Sequence, residues 1–212
     1  MRLLGWLVAV ILVAALAGVT YGSWQMSRAL DAMLTAGTPI GQGKDAPAPA
    51  GPADIGFVGD PQAAFGYPFR AVEFTTDLGP TPAWLIEPDG ERASTDWAIF
   101  VHGIAGAREN GYRFLPTLRA AGLPVLMMAY RNDPGAPKAP DGLYALGLAE
   151  WRDLDAAVQF ALDSGARSIV LVGESMAAAS SASSFASRTA PARSGRSCST
   201  PRWSISQRPS GP

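Results

Sequence analysis

Residues 3–22 read LLGWLVAVILVAALAGVTYG, a run with no charge and almost no polar side chain. An α-helix rises about 1.5 Å per residue, so twenty residues cross the roughly 30 Å hydrocarbon core of a bilayer. The pattern predicts a membrane-spanning helix, preceded by Arg2 and followed by Arg28. Two other readings stay open. The run can be a signal peptide, with Ala15-Leu16-Ala17 as the small-residue cleavage site. It can also be a buried helix, which the lack of a polar face disfavours. Positive charge ahead of the span leans toward a cytoplasmic N-terminus and an extracytoplasmic remainder, or a secreted one if the run is cleaved.

After residue 35 the periodicity stops. GTPIGQGKDAPAPAGP has no hydrophobic repeat, and its Pro and Ala content predicts an extended, semi-rigid spacer over 36–68. A proline-motif ligand is the competing reading. From residue 69 period-2 and apolar runs return. RAVEFTTD (70–77) and PAWLIEP (82–88) read as strands. WAIFVHG (97–103), LPVLMMAY (123–130) and RSIVLVG (167–173) read as strands buried on both faces. Between them lie two helical patterns, 111–122 and 146–166, the second with Leu154, Val158, Phe160 and Leu162 as apolar positions and Gly165 as a stop. Alternating apolar strands and helices predict an α/β domain with a mostly parallel sheet and helical crossovers.

Composition narrows the chemistry. The formal charge of the 212 residues is −1, which gives no nucleic-acid signal. One cysteine, Cys198, excludes an intrachain disulfide, and with one histidine, His102, it excludes a Cys/His zinc framework. No metal or cofactor is expected. The charge balance hides an asymmetry. All 18 acidic residues lie in 1–176, whereas 177–212 holds five Arg and no acid.

Gly173-Glu174-Ser175-Met176 directly follows the strand SIVLVG. A G-x-S-x-G nucleophile elbow needs this sharp strand-to-helix turn, with small residues relieving its crowding. A serine in an ordinary strand–helix turn is the plainer reading. The oxyanion hole takes one N–H from the residue after the nucleophile, here Met176, and one from the loop after an earlier strand. FVHGIAG (100–106) offers that loop, with Ile104 as donor. Arg131-Asn132-Asp133 before Pro134-Gly135 reads as a turn, Asp153 as a solvated helix face and Trp151 as packing.

At HGIAGAREN, YRNDPGAP, PDGLYALGLAEWRDLDAAV and IVLVGES the sequence resembles the α/β-hydrolase family, in particular its single-domain, membrane-anchored bacterial members, over roughly 70–176. The resemblance implies a serine hydrolase acting on small-molecule esters or similar acyl compounds, with Ser175 as nucleophile. It also implies that His102 supports the oxyanion loop and is not the general base; a hydrogen-bonded histidine at a strand end is the simpler reading. Family order places the acid and the base after the serine. After Ser175 this chain has no Asp, Glu or His. The expectation is therefore a hydrolase inactive as written; a membrane-anchored, non-catalytic binding module of the same fold is the alternative.

Residues 177–212 also lack Leu and Val; eleven Ser, seven Ala, five Arg and four Pro make up most of them. The expected organisation is an anchor and juxtamembrane segment (1–35), a linker (36–68), the front part of a hydrolase domain (69–176) and a disordered tail (177–212). A shifted reading frame after codon 176 accounts for the tail. Read one base earlier in G- and C-rich codons, 177–179 can encode three glycines and RSCSTPRWSIS can encode ALVLDAPMVDL, a buried strand followed by an acid.

Overall fold

The computed structural model of the chain describes residues 2–35, 46–51, 54, 56–88 and 94–189. Helix α1 runs Arg2–Leu34. Its segment Leu4–Ala32 has a mean hydropathy of 2.2 and buries none of its residues in the protein. A buried soluble helix would be covered, so that reading fails. Length and composition fit either a membrane crossing or a signal sequence.

The linker expected over 36–68 is shorter than its composition suggests. Residues 36–45 lie outside the described residues, but Phe57, Phe65 and Tyr67 pack against the lower core. A short helix α2 (Pro61–Phe65) starts at Asp60, whose carboxylate accepts the Ala63 N–H at 2.8 Å. The Tyr112 hydroxyl bonds the Gly59 carbonyl. Three aromatics outweighed the Pro/Gly background, so the packed domain begins near residue 56.

Strands β1 (Phe69–Thr76) and β2 (Gly79–Ile86) form an antiparallel hairpin across Asp77-Leu78. Next come β3 (Asp96–Val101), a 3-10 turn (Arg108–Arg113), α3 (Leu115–Ala120), β4 (Val125–Met128), α4 (Trp151–Asp163), β5 (Ser168–Gly173) and α5 (Met176–Thr189). The sheet order is β1-β2-β4-β3-β5. Strand β3 pairs in parallel with both β4 and β5, whereas β2 joins β4 antiparallel. Within the parallel part β3 and β4 are covered on both faces, whereas β5, expected to be buried on both, has no buried residue because it stands at the edge of the sheet. On one face, Leu126, Met128 and Ile99 pack against Leu154, Ala157, Val158 and Ala161 of α4; on the other, Phe100 and Met127 pack against Tyr112 and Leu115.

Two helices differ from the pattern. The stretch 111–122 divides into the 3-10 turn and α3 around Phe114, with Pro116 in the first turn of α3. Helix α4 starts at Trp151, not at 146. The backbone before it turns through positive φ at Leu146 (52°) and Gly147 (91°), and the buried Glu150 carboxylate accepts the N–H of Ala145 at 2.7 Å and of Gly147 at 2.8 Å.

The tail expectation changes as well. Residues 176–189 are helical, and residues 190–212 lie outside the described residues. Nothing in MAAASSASSFASRT breaks a helix: alanine is the best helix former, no Gly or Pro intervenes, and Pro191 stands just past the end.

Candidate active site

The parallel strands deliver three loops to one end of the sheet: 102–107 after β3, 129–150 after β4 and 174–175 after β5. At β5 the chain turns within two residues. The Glu174 N–H still bonds the neighbouring strand at Val101 (3.2 Å), and the Ala177 N–H already bonds the Glu174 carbonyl at 2.9 Å. Ser175 between them has φ +50°, a left-handed conformation that costs an L-residue of order 1 kcal/mol or more. A Cβ on Gly173 would stand 3.0 Å from that of Ala177, a tight contact that favours glycine where β5 meets the helix. Position 177, where the elbow pattern has glycine, holds a fully buried alanine. The Ser175 side chain is exposed and has no hydrogen-bond partner among the described residues.

The HG loop lies against this turn. A Cβ on Gly103 would be 3.3 Å from both the Glu174 carbonyl oxygen and the Ser175 Cβ. Ile104 therefore stands one residue from contact with the elbow. Among the described residues, no hydrogen bond takes up the N–H of Ile104 or of Met176. Glu174 is tied sideways by an ion pair with Arg113.

His102 is fully buried and stacks on Tyr130 with ring centroids 4.2 Å apart. Its Nε2 is 2.8 Å from Asp133 Oδ2 and its Nδ1 is 2.9 Å from the Gly103 carbonyl. Both partners are acceptors, an arrangement that favours the doubly protonated ring facing the Asp133 carboxylate. Burial alone would depress its pKa; the Asp133 charge and hydrogen bond, with the Gly103 carbonyl, outweigh this and raise it. A ring with both nitrogens engaged and no solvent access cannot take a proton from Ser175. Asp133 also accepts the Tyr130 N–H (2.7 Å) and the Tyr144 hydroxyl (3.3 Å). Burial raises both phenols, Tyr130 well above its ordinary value.

The turn reading of 131–133 missed this role of Asp133. It likewise missed that Asp153 is buried: its carboxylate receives the Arg131 fork at 2.9 and 2.8 Å and the Arg131 N–H at 2.8 Å. The hydrogen bonds that Arg131 donates to Asp153 are the main cause raising its pKa above the ordinary arginine value. The signal that could have found these pairs is the sequence's sole histidine followed by charged residues directly after an apolar strand. Trp151 is half-buried at the start of α4. A cavity of about 190 Å³ opens beside the HG loop, lined by Val58, Ala107, Arg108, Glu109, Ala129, Asp133 and Pro134. Burial lowers the pKa of Arg108, whose guanidinium lies 4.0 Å above the Trp84 ring.

A strand ending in glycine, a serine at positive φ and a helix from the next residue form a strand–elbow–helix unit at the C-terminal end of a β1-β2-β4-β3-β5 sheet. This is the strand–elbow–helix arrangement of the α/β-hydrolase fold. No family model matches the chain, and no curated protein does. Among solved structures it is similar to the Pyrococcus furiosus esterase Pf2001, at 24% identity over 58% of this chain and 49% of that one (TM-score 0.49). It is also similar to XC6422 of Xanthomonas campestris, an α/β serine hydrolase without a lid, at 20% identity over 56% of each chain (TM-score 0.48). A third is EstE1, a thermophilic carboxylesterase from a metagenomic library, at 21% identity over 57% and 42% (TM-score 0.43). The chain spans about half the length of these structures.

Proposed function

We propose that the chain is the front part of a membrane-tethered serine hydrolase acting on small-molecule esters or similar acyl compounds. Ser175 is the nucleophile, the N–H groups of Ile104 and Met176 receive the oxyanion, and His102 holds the HG loop in place through Asp133. Helix α1 is the anchor, with the domain on the extracytoplasmic side. The observation that carries the reading is the strained, solvent-facing Ser175 with the Gly103 loop packed against it. An unpartnered hydroxyl at positive φ beside an open pair of N–H donors is costly for a mere turn and suits acyl attack.

As written the chain has no base for Ser175, because its one histidine is committed to Asp133 and Gly103. Positioning and an oxyanion hole alone leave about 10³–10⁴ over water, far below an intact triad. Turnover of a short nitrophenyl ester should therefore match that of Ser175→Ala. A fluorophosphonate loses fluoride as Ser175 Oγ bonds phosphorus, and with no side-chain base the hydroxyl proton leaves to solvent hydroxide; labelling of the detergent-solubilised chain should therefore be slow, rise with pH, and be abolished by Ser175→Ala. Labelling that persists in the variant would remove Ser175 from the reading. The committed histidine would then favour a membrane-anchored module that binds acyl compounds without turning them over.

A further inference from the structure

Two chain segments must meet to hold an oxyanion at Ser175, and the backbone joins them only as far as their strand ends. Ile104 follows β3 and Met176 follows β5. The Glu174 N–H bond to the Val101 carbonyl, 3.2 Å, is the last rung between them. Among the described residues no backbone hydrogen bond links 102–107 to 175–177. An oxyanion hole works when its donors are held within about 0.5 Å of the productive geometry. A tie past the last rung has to fix the two N–H groups relative to each other.

Side chains supply that tie. Nη2 of Arg113 donates to Oε1 of Glu174, the residue next to Ser175. The two side chains are 28% and 16% exposed, so solvent screens the pair far less than a surface one. Arg113 closes the 3-10 turn that leaves the HG loop directly. Along that path the Gly106 N–H bonds the Gly103 carbonyl at 3.1 Å and the Asn110 N–H bonds the Ala107 carbonyl at 3.0 Å. Tyr112, beside Arg113, is buried and bonds the Gly59 carbonyl. Glu174 is held at its own end by the Val101 rung and by the Ala177 N–H. It therefore meets both ends of the segment 103–113: its carbonyl oxygen lies against Gly103, and its carboxylate holds Arg113. Ile104 stands between these two contacts. Arg113 Nε is buried with no hydrogen-bond partner among the described residues. A pair serving stability alone would satisfy that donor.

We propose that Arg113 and Glu174 are positioning residues for the oxyanion hole. Their ion pair clamps the segment that carries Ile104 onto the elbow and sets the spacing of the Ile104 and Met176 N–H groups. The proposal rests on the reading of Ser175 as nucleophile. The pair acts through the backbone and takes no proton from the serine.

The test follows fluorophosphonate labelling of the detergent-solubilised full chain, as a rate constant and as a final stoichiometry, over a range of pH. Arg113→Ala and Glu174→Ala should each lower the rate constant about 10–100-fold, the cost of a misplacement of about 1 Å. The double variant should be no slower than either single one, because the two side chains form one tie. Glu174→Gln keeps an acceptor oxygen for Arg113 and should fall between. All should reach the stoichiometry of the unsubstituted chain, and the rise with pH should keep its slope, because solvent hydroxide still takes the proton. A lower stoichiometry at an unchanged rate constant marks a pair that only stabilises the fold and overturns the proposal. An unchanged rate constant in Arg113→Ala, a changed pH slope, or a double variant whose slowing multiplies the two single effects overturns it too, and leaves Ser175 as the nucleophile. A label that survives Ser175→Ala removes that nucleophile, and the inference falls with it.

Discussion

Ser175 concentrates the cost of the site in one residue. Its φ of +50° is a conformation that glycine adopts freely, so Ser175→Gly should stabilise the fold by about 1 kcal/mol while removing the proposed nucleophile. Chemical unfolding of both proteins in detergent reads the difference; a destabilised variant would mean that the turn carries no strain. The second residue-scale prediction concerns His102. Its folded pKa is raised, so its contribution is fully present below the unfolded value of about 6.5 and is lost as pH rises through the folded one. The stability gap between the native chain and Asp133→Asn should thus be widest near pH 6 and narrow toward pH 9, as followed by thermal unfolding. A constant gap would mean that His102 is not an imidazolium there. The sequence made Ser175 legible because a nucleophile elbow is a local pattern. Asp133 was not legible, because its partner lies 31 positions away and only the sheet brings them together.

At the scale of elements, the best-defined helix is held by a polar clamp as well as by its apolar stripe. Leu154, Ala157, Val158 and Ala161 of α4 face the sheet, and between them and β4 the buried Asp153 holds both the Arg131 backbone and its guanidinium. Arg131 keeps Asp77 at 2.6 Å as a half-exposed second partner. Asp153→Ala should cost about 3 kcal/mol, the lower end for breaking a buried pair, because Asp77 compensates in part. A loss under ~1 kcal/mol in chemical unfolding would place the clamp among ordinary surface pairs. The strands were legible because apolar runs bounded by Gly and Pro leave few alternatives. The junctions were not. Helix α4 begins five residues late because one carboxylate, Glu150, stabilises a turn whose leucines continue the helical spacing. The start of the domain moved for a similar reason: Phe57 and Phe65 find a partner in Tyr112, more than 40 residues on, and Tyr67 stacks on Phe65 beneath Arg119.

For the molecule as a whole, the decisive features lie around α5 and β5. Among the described residues β5 pairs only with β3, and Val170 on it is 46% exposed. The face of α5 toward the domain buries Ser180 and Ser184, hydroxyl side chains at positions where apolar ones usually pack. Ser180 reaches only back to the Met176 carbonyl at 3.5 Å, and Ser184 reaches Asp155 at 3.3 Å. The helix forms because its alanines favour one and nothing breaks it; of its described side chains Met176 and Ala177 join the core. We propose that a shifted frame after codon 176 underlies the buried hydroxyls, the alanine at the elbow's glycine position and the absence of an acid and a base after Ser175 together. We therefore expect that inserting one base after codon 176 extends the protein by roughly 80–130 residues, taking ordinary domain size as guide. The product should carry an acid and a histidine downstream, hydrolyse nitrophenyl esters, and lose that activity with Ser175→Ala. It should also unfold more cooperatively, because new strands would close the β5 edge. An early stop codon in the new frame, or a downstream sequence without histidine, would make the Ser/Ala/Arg/Pro-rich segment native and leave Ser175 without a base of its own.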